Sequence, residues 1–134
     1  MISYIFTKSE LRYFSAVMRL DILPVHMIDG ENIGETELIE AEESLIRKGF
    51  LRRSEENKFL DAGIDFLLRA MDSAERIFLG DGERKFIAYI GECAVLLEKE
   101  NSGNFLMSPF QTEEKLVSAL NEKEIYEWTD RRLE

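Results

Sequence analysis

His26 and Cys93 are the only histidine and cysteine in the chain, so nucleophilic or metal chemistry would have to be built around them. A Ser-His-Asp triad or a Cys-His pair needs the histidine held beside its partner, and no local signature places His26 next to either. A zinc site assembled from one histidine and one cysteine would have to recruit several carboxylates. No phosphate-binding loop or dinucleotide fingerprint is present, and Gly80-Asp81-Gly82 is read as a turn. Cys93 lies in an apolar stretch and reads as a small buried hydrophobe. His26, beside Pro24 and Met27, reads as a hydrogen-bonded or exposed histidine. The expectation is a non-enzymatic chain with no catalytic residues, no metal and no cofactor.

Charged residues give a more specific pattern. Glu42 falls between Leu38, Leu45 and Ile46 at helical spacing, on the side expected to face inward. A carboxylate there must be hydrogen-bonded or paired, because an isolated buried charge is strongly disfavoured. Either it sits at an edge with its head reaching solvent or an arginine such as Arg12 or Arg19, or it is a functional carboxylate. Asp65 with Arg69 and Asp72 with Arg76 are i,i+4 pairs and read as a solvated helix face. Further along, Arg47, Lys48, Arg52, Arg53 and Lys58 stand against only Glu55 and Glu56, which makes one short segment locally basic.

The elements that position these residues follow from periodicity and caps. Thr7 and Glu10 form a capping-box pattern ahead of Leu11, Phe14, Met18 and Ile22, which predicts a helix over 8–20. Residues 23–28 read as extended and 29–30 as a turn. Thr36 is positioned to cap a second helix ending at Lys48, with Gly49 in the left-handed conformation that stops it. A hairpin follows, then a third helix from near Asp61 with Ile64, Leu67, Leu68 and Met71 inward. Beyond Glu75 the spacing changes to that of three or four antiparallel strands, at 77–79, 85–90, 93–99 and 104–107. Pro109 is expected to end the sheet. Thr112 then caps a last helix through Leu116, Val117 and Leu120, extending toward Trp128.

The order helix, short strand, helix, hairpin, helix over residues 7 to about 72 resembles winged helix-turn-helix domains, and the run Ser44-Leu45-Ile46-Arg47-Lys48-Gly49-Phe50-Leu51 looks like their helix-to-wing junction. That resemblance implies a DNA-binding scaffold in which Arg47, Lys48, Arg52, Arg53 and Lys58 would be the contacts. The outward arc of its recognition helix, however, carries Glu37, Glu40 and Glu43, which would oppose phosphate. Over the whole chain, the winged-helix-like start, the helix near Asp61, the meander and the closing helix resemble one half of an EspG-type type VII secretion chaperone. Members of that family bind export substrates and have no enzymatic activity. At about one half-unit, this chain would form a homodimer to match the complete molecule.

Composition sets the outer bounds. With 45% hydrophobic and 33% charged residues the 134-residue chain is globular, and its net charge of −10 disfavours non-specific contact with nucleic acid or anionic membrane. No run is long enough to span a bilayer, and the first residues lack the pattern of a signal peptide, so a cytoplasmic protein is expected. The expected fold is α+β. A winged-helix-like unit (1–74) packs on an antiparallel β-meander with a closing α-helix (75–134), and the two halves form one compact unit.

Both strands 86–90 and 93–97 are apolar on each face, and Phe66 and Ala70 widen the apolar arc of the third helix. Either the chain's own helices cover the second face or another subunit does. The second option makes Phe66, Ile87, Tyr89, Ala94 and Leu96 candidate partner-binding residues in a homodimer. The leading expectation is thus a protein-interaction module, adaptor- or secretion-chaperone-like, with a protein partner and neither nucleic acid nor membrane. The alternative is a transcriptional regulator with a winged-helix DNA-binding unit and a C-terminal sensing or assembly domain.

Overall fold

Local hydrogen bonds fix the first helix where the capping box places it. In the computed structural model, which describes residues 2–18, 34–81, 85–121 and 129–132, α1 spans Lys8–Met18. The Glu10 amide donates to Thr7 Oγ1 at 3.1 Å and the Thr7 amide donates to Glu10 Oε1 at 2.8 Å. Helix α2 (Glu35–Arg47) begins differently from expectation. Gly34, not Thr36, is its N-cap, and no side chain caps it. Glu35 and Glu37 in the first turn supply negative charge at the positive end of the helix instead.

The end of α2 is as the sequence implies. Gly49 has φ +80°, its amide donates to the Ile46 carbonyl, and the Phe50 amide reaches back to the Leu45 carbonyl, each at 3.0 Å. This pair of bonds is the Schellman motif, which a β-carbon at Gly49 would strain. Strands β2 (Leu51–Ser54) and β3 (Asn57–Leu60) then form an isolated hairpin with Leu51 opposite Leu60 and Arg53 opposite Lys58. Asp61 caps α3 (Ala62–Asp72), accepting from the Ile64 amide at 3.1 Å.

Six strands make the main sheet. β1 (Tyr4–Phe6), β4 (Arg76–Asp81), β5 (Lys85–Ile90), β6 (Ala94–Lys99), β7 (Phe105–Phe110) and β8 (Thr129–Arg132) are ordered β1-β7-β6-β5-β4-β8, every pairing antiparallel. The meander at the centre is as expected; the two outer strands, β1 and β8, are additions to it. Through β1, the N-terminal half of the chain contributes a strand to this sheet, paired with β7.

Two further expectations are corrected. Gly80 and Asp81 are not a turn: they continue β4, where Gly80 lies opposite Phe86, and a Cβ on Gly80 would run into the Phe86 ring. Pro109 does not end the sheet either, but sits inside β7 opposite Val95. There β1 no longer pairs, its register ending with Tyr4 opposite Met107, so β7 is an edge on that side and tolerates a residue with no amide hydrogen.

Each face of the sheet has its own cover. Ile87, Tyr89, Val95 and Leu97 join Leu11, Phe14, Leu45 and Leu68 in one core that unites the sheet with α1, α2 and α3. On the opposite face Phe86, Ala88, Ile90, Ala94 and Leu96 pack with Leu116 and Leu120 of α4 (Glu113–Asn121). The Lys115 amide donates to Thr112 Oγ1 at 3.2 Å, so Thr112 does cap this helix. The architecture is α+β, three layers deep. Residues 23–30, with His26, together with Arg19 and Trp128, lie outside the described residues.

Candidate functional site

Glu42 is the centre of a polar cluster between α2 and the hairpin. Its residue is 7% exposed, consistent with the inward arc read from periodicity. Among the described residues Arg12 does not pair with it. Arg53 Nη2 donates to one carboxylate oxygen and Lys58 Nζ to the other at 3.3 Å, so two hairpin cations converge on it. Tyr13 of α1 lies near enough for the Glu42 charge to act on its phenol. Register explains the convergence: Arg53 and Lys58 are directly opposite each other across the hairpin and so share one face.

This environment fixes the protonation of the cluster. Burial pushes the Glu42 carboxyl up, but the hydrogen bonds and charges of Arg53 and Lys58 outweigh it and hold the group below its ordinary value. Burial first, then the nearby Glu42 carboxylate, push the Tyr13 phenol up to about 12. A carboxylate held anionic by one cation from each strand is an anchor for the hairpin.

A second carboxylate does the same work at the other side of α2. Glu10 is fully buried and accepts from Thr7 N, from Ser44 Oγ at 2.9 Å and from Lys48 Nζ at 2.6 Å. Lys48 Nζ also lies 3.4 Å from the Ile5 carbonyl, placing a cation over the outer edge of β1. Such a lysine discourages pairing by another strand. Arg12, one of the two arginines considered for Glu42, instead grips Glu37 with contacts of 3.1 and 3.2 Å, and Ser9 Oγ donates to the same carboxylate. One of the three carboxylates expected to face outward is therefore turned toward α1.

What remains outward on α2 is mixed. Glu40, Glu43 and Arg47 are exposed, and so are Ile39 and Ile46, at 51% and 36%. Ile46 was expected inside; the hairpin covers the Glu42 side and leaves Ile46 at the margin. Two turns apart, the isoleucines share one side of the helix. On the hairpin's outer face Phe59 is 46% exposed, with the Arg52 guanidinium 5.1 Å from its ring centroid. Of the five cations proposed as DNA contacts, Lys48, Arg53 and Lys58 are paired with buried carboxylates, whereas Arg47 and Arg52 have no carboxylate partner among the described residues.

The expected partner-binding set divides sharply. Ile87, Tyr89, Ala94 and Leu96 are between 0 and 2% exposed, because the chain covers both faces of its own sheet, so they cannot form a docking surface. Phe66 alone of that set is open, at 62%. It borders a groove with Ala70 and Cys93, and Cys93 is half-buried rather than enclosed. Burial first, and the neighbouring Glu92 charge second, push its thiol up, away from the reactive thiolate. No group of three metal-ligating side chains occurs among the described residues, and none of their helices is long and apolar enough to cross a membrane.

No protein-family model matches this chain, and no curated protein matches it. Sequence reasoning missed Glu10 as a buried ion-pair partner, although the capping box had already singled it out. It also missed Ile39 and Phe59, which single-residue hydropathy does not distinguish from core.

Proposed function

We propose that this chain is a non-enzymatic, cytoplasmic protein-interaction module built on a winged-helix-like unit, and that the outward side of α2 is its contact surface. One observation carries the reading. Three of the five cations that a DNA-reading scaffold would present to phosphate, Lys48, Arg53 and Lys58, are held by Glu10 and Glu42, while the exposed side of α2 offers Ile39 and Ile46 among Glu40 and Glu43. Apolar residues ringed by charge suit a protein partner. Phosphate binding needs free Lys and Arg. The likeness to half of an EspG-type chaperone makes an export substrate of type VII secretion the partner class to try first.

A second reading, a transcriptional regulator, rests on Arg47 and Arg52, the two candidate DNA contacts without a carboxylate partner among the described residues. Two double variants separate the readings: Ile39→Asp with Ile46→Asp, and Arg47→Glu with Arg52→Glu. Each is assayed by fluorescence anisotropy on host genomic duplexes and by quantitative recovery of host proteins. The expected result is no sequence-selective DNA binding by any form and a host partner lost only with the isoleucine pair. Tight duplex binding abolished by the arginine pair, and falling by about 10³–10⁵-fold between 50 and 200 mM salt, would make the protein a regulator.

A further inference from the structure

Between α3 and the turn that joins β5 to β6 lies an open groove of about 500 Å³. Its apolar lining is Phe66, Ala70 and Cys93, and its carboxylates are Glu75 and Glu92. Both are exposed, and neither has a cationic partner among the described residues. The one cation in the lining, Arg69, is engaged by Asp65 at 3.0 Å. An occupant that matches this groove must therefore bring an apolar group and a positive charge together.

The hairpin displays that combination. Phe59 and Arg52 are directly opposite each other on β3 and β2, with the guanidinium over the ring. Arg53 and Lys58 point the other way, to Glu42, so the Phe59–Arg52 pair faces outward. Position matters as much as chemistry. From Phe59 to Phe66 the chain runs two extended steps and then enters α3, which keeps their Cα atoms within about 15 Å at 3.4 Å per extended and 1.5 Å per helical residue. A knob and a groove this close, and complementary in charge and apolar character, are what an isologous contact about a two-fold axis requires of one surface.

We propose that the groove is filled by a second copy of this chain, the Phe59–Arg52 pair of each protomer seating against Phe66 and Ala70 of its partner with the guanidinium toward Glu75 and Glu92. The contact occurs twice in the dimer, so any substitution in it acts twice. This inference concerns self-association alone and does not depend on which outside protein α2 contacts.

Sedimentation of the full chain at micromolar concentration tests it with Arg52→Glu, Glu92→Arg, the double variant carrying both, and Phe59→Ala. All these positions are exposed, and circular dichroism checks that each variant folds. Wild type is expected to be dimeric. Each single charge reversal should weaken the dimer about tenfold or more, and the double variant, which restores opposite charges across the contact, should recover most of the loss. Cys93, the sole cysteine, gives an independent reading: its reaction with an aromatic disulfide should slow as wild-type concentration rises and should not slow in Phe59→Ala. A wild-type monomer, which would leave the groove to a different chain, overturns the inference. So does a dimer indifferent to Arg52→Glu and Phe59→Ala.

Discussion

Replacing Glu10 removes the acceptor shared by three donors and so probes how α1 is joined to the end of α2. The carboxylate is fully buried, with Thr7 N at 2.8 Å, Ser44 Oγ at 2.9 Å and Lys48 Nζ at 2.6 Å. In Glu10→Ala the loss of the capping bond to Thr7 costs about 1 kcal/mol. The bond from Ser44 to a charged acceptor accounts for about 1.5–3 kcal/mol. The Lys48 side chain is 34% exposed and regains water when released, so its pairing adds only about 0–1 kcal/mol. A total of about 2.5–5 kcal/mol is a large share of the roughly 5–15 kcal/mol that holds a domain together. It should lower Tm by about 10 °C in a chain of this length. Glu10→Gln keeps the volume and one acceptor for Thr7, and should lose about half as much. Urea unfolding at neutral pH measures both, with unchanged m-values confirming a common unfolding transition. Glu10→Ala within about 1 kcal/mol of wild type, or Gln as damaging as Ala, would show that the cluster is not what joins the two helices.

The Glu42 cluster predicts two pH limbs. The Glu42 carboxyl is held below its unperturbed 4.5, so its contribution to stability is present above that pH and is lost as pH falls through the folded value; Tyr13, raised from 10.0 to about 12, contributes below pH 10 and loses that contribution as pH rises toward 12. Urea midpoints measured across pH should therefore fall at both ends, and an alkaline limb unchanged in Tyr13→Phe would exclude Tyr13 as its source. Gly80→Ala drives a methyl group into the Phe86 ring and should cost about 1–3 kcal/mol, partly recovered when Phe86 is shortened to Leu. Equal stability of Gly80→Ala and wild type would mean the ring moves aside freely.

What the sequence made legible was local. Thr7 and Glu10 sit one helical turn apart, Gly49 directly follows a helix, and Asp61 precedes an apolar period, so each signal and its structure share a few residues. The outer strands had no such signal. β1 pairs Tyr4 with Met107, about a hundred residues away, and three residues are too few to show a period of two. Gly80 belongs with this group. Its requirement is set by Phe86 on the neighbouring strand, whereas its sequence neighbours Asp81 and Gly82 suggest a turn. For the candidate site, the two-sided apolar strands did reveal that the sheet must be covered twice. They could not say by what, because α4 reaches the second face only through the path of the folded chain. Of the five residues that reading exposed, only Phe66 is open.

Charge is where scaffold and function part company. Counting Arg47, Lys48, Arg52, Arg53 and Lys58 as a basic patch treats each cation as available to a ligand, and that assumption fails once partners are known. Lys48 is the ionic partner of a carboxylate with no exposed surface, and Arg53 with Lys58 serves one that is 7% exposed. Moving any of these three to a phosphate would leave Glu10 or Glu42 charged and under-compensated in a poorly solvated place, a penalty that an exposed lysine or arginine does not carry. The phosphate would have to repay that penalty before gaining affinity. A protein partner meeting Ile39 and Ile46 incurs no such debt, since neither side chain is committed to an internal contact of this kind. Glu42 thus holds the hairpin against α2 and, by the same bonds, withdraws two of its cations from any outside phosphate.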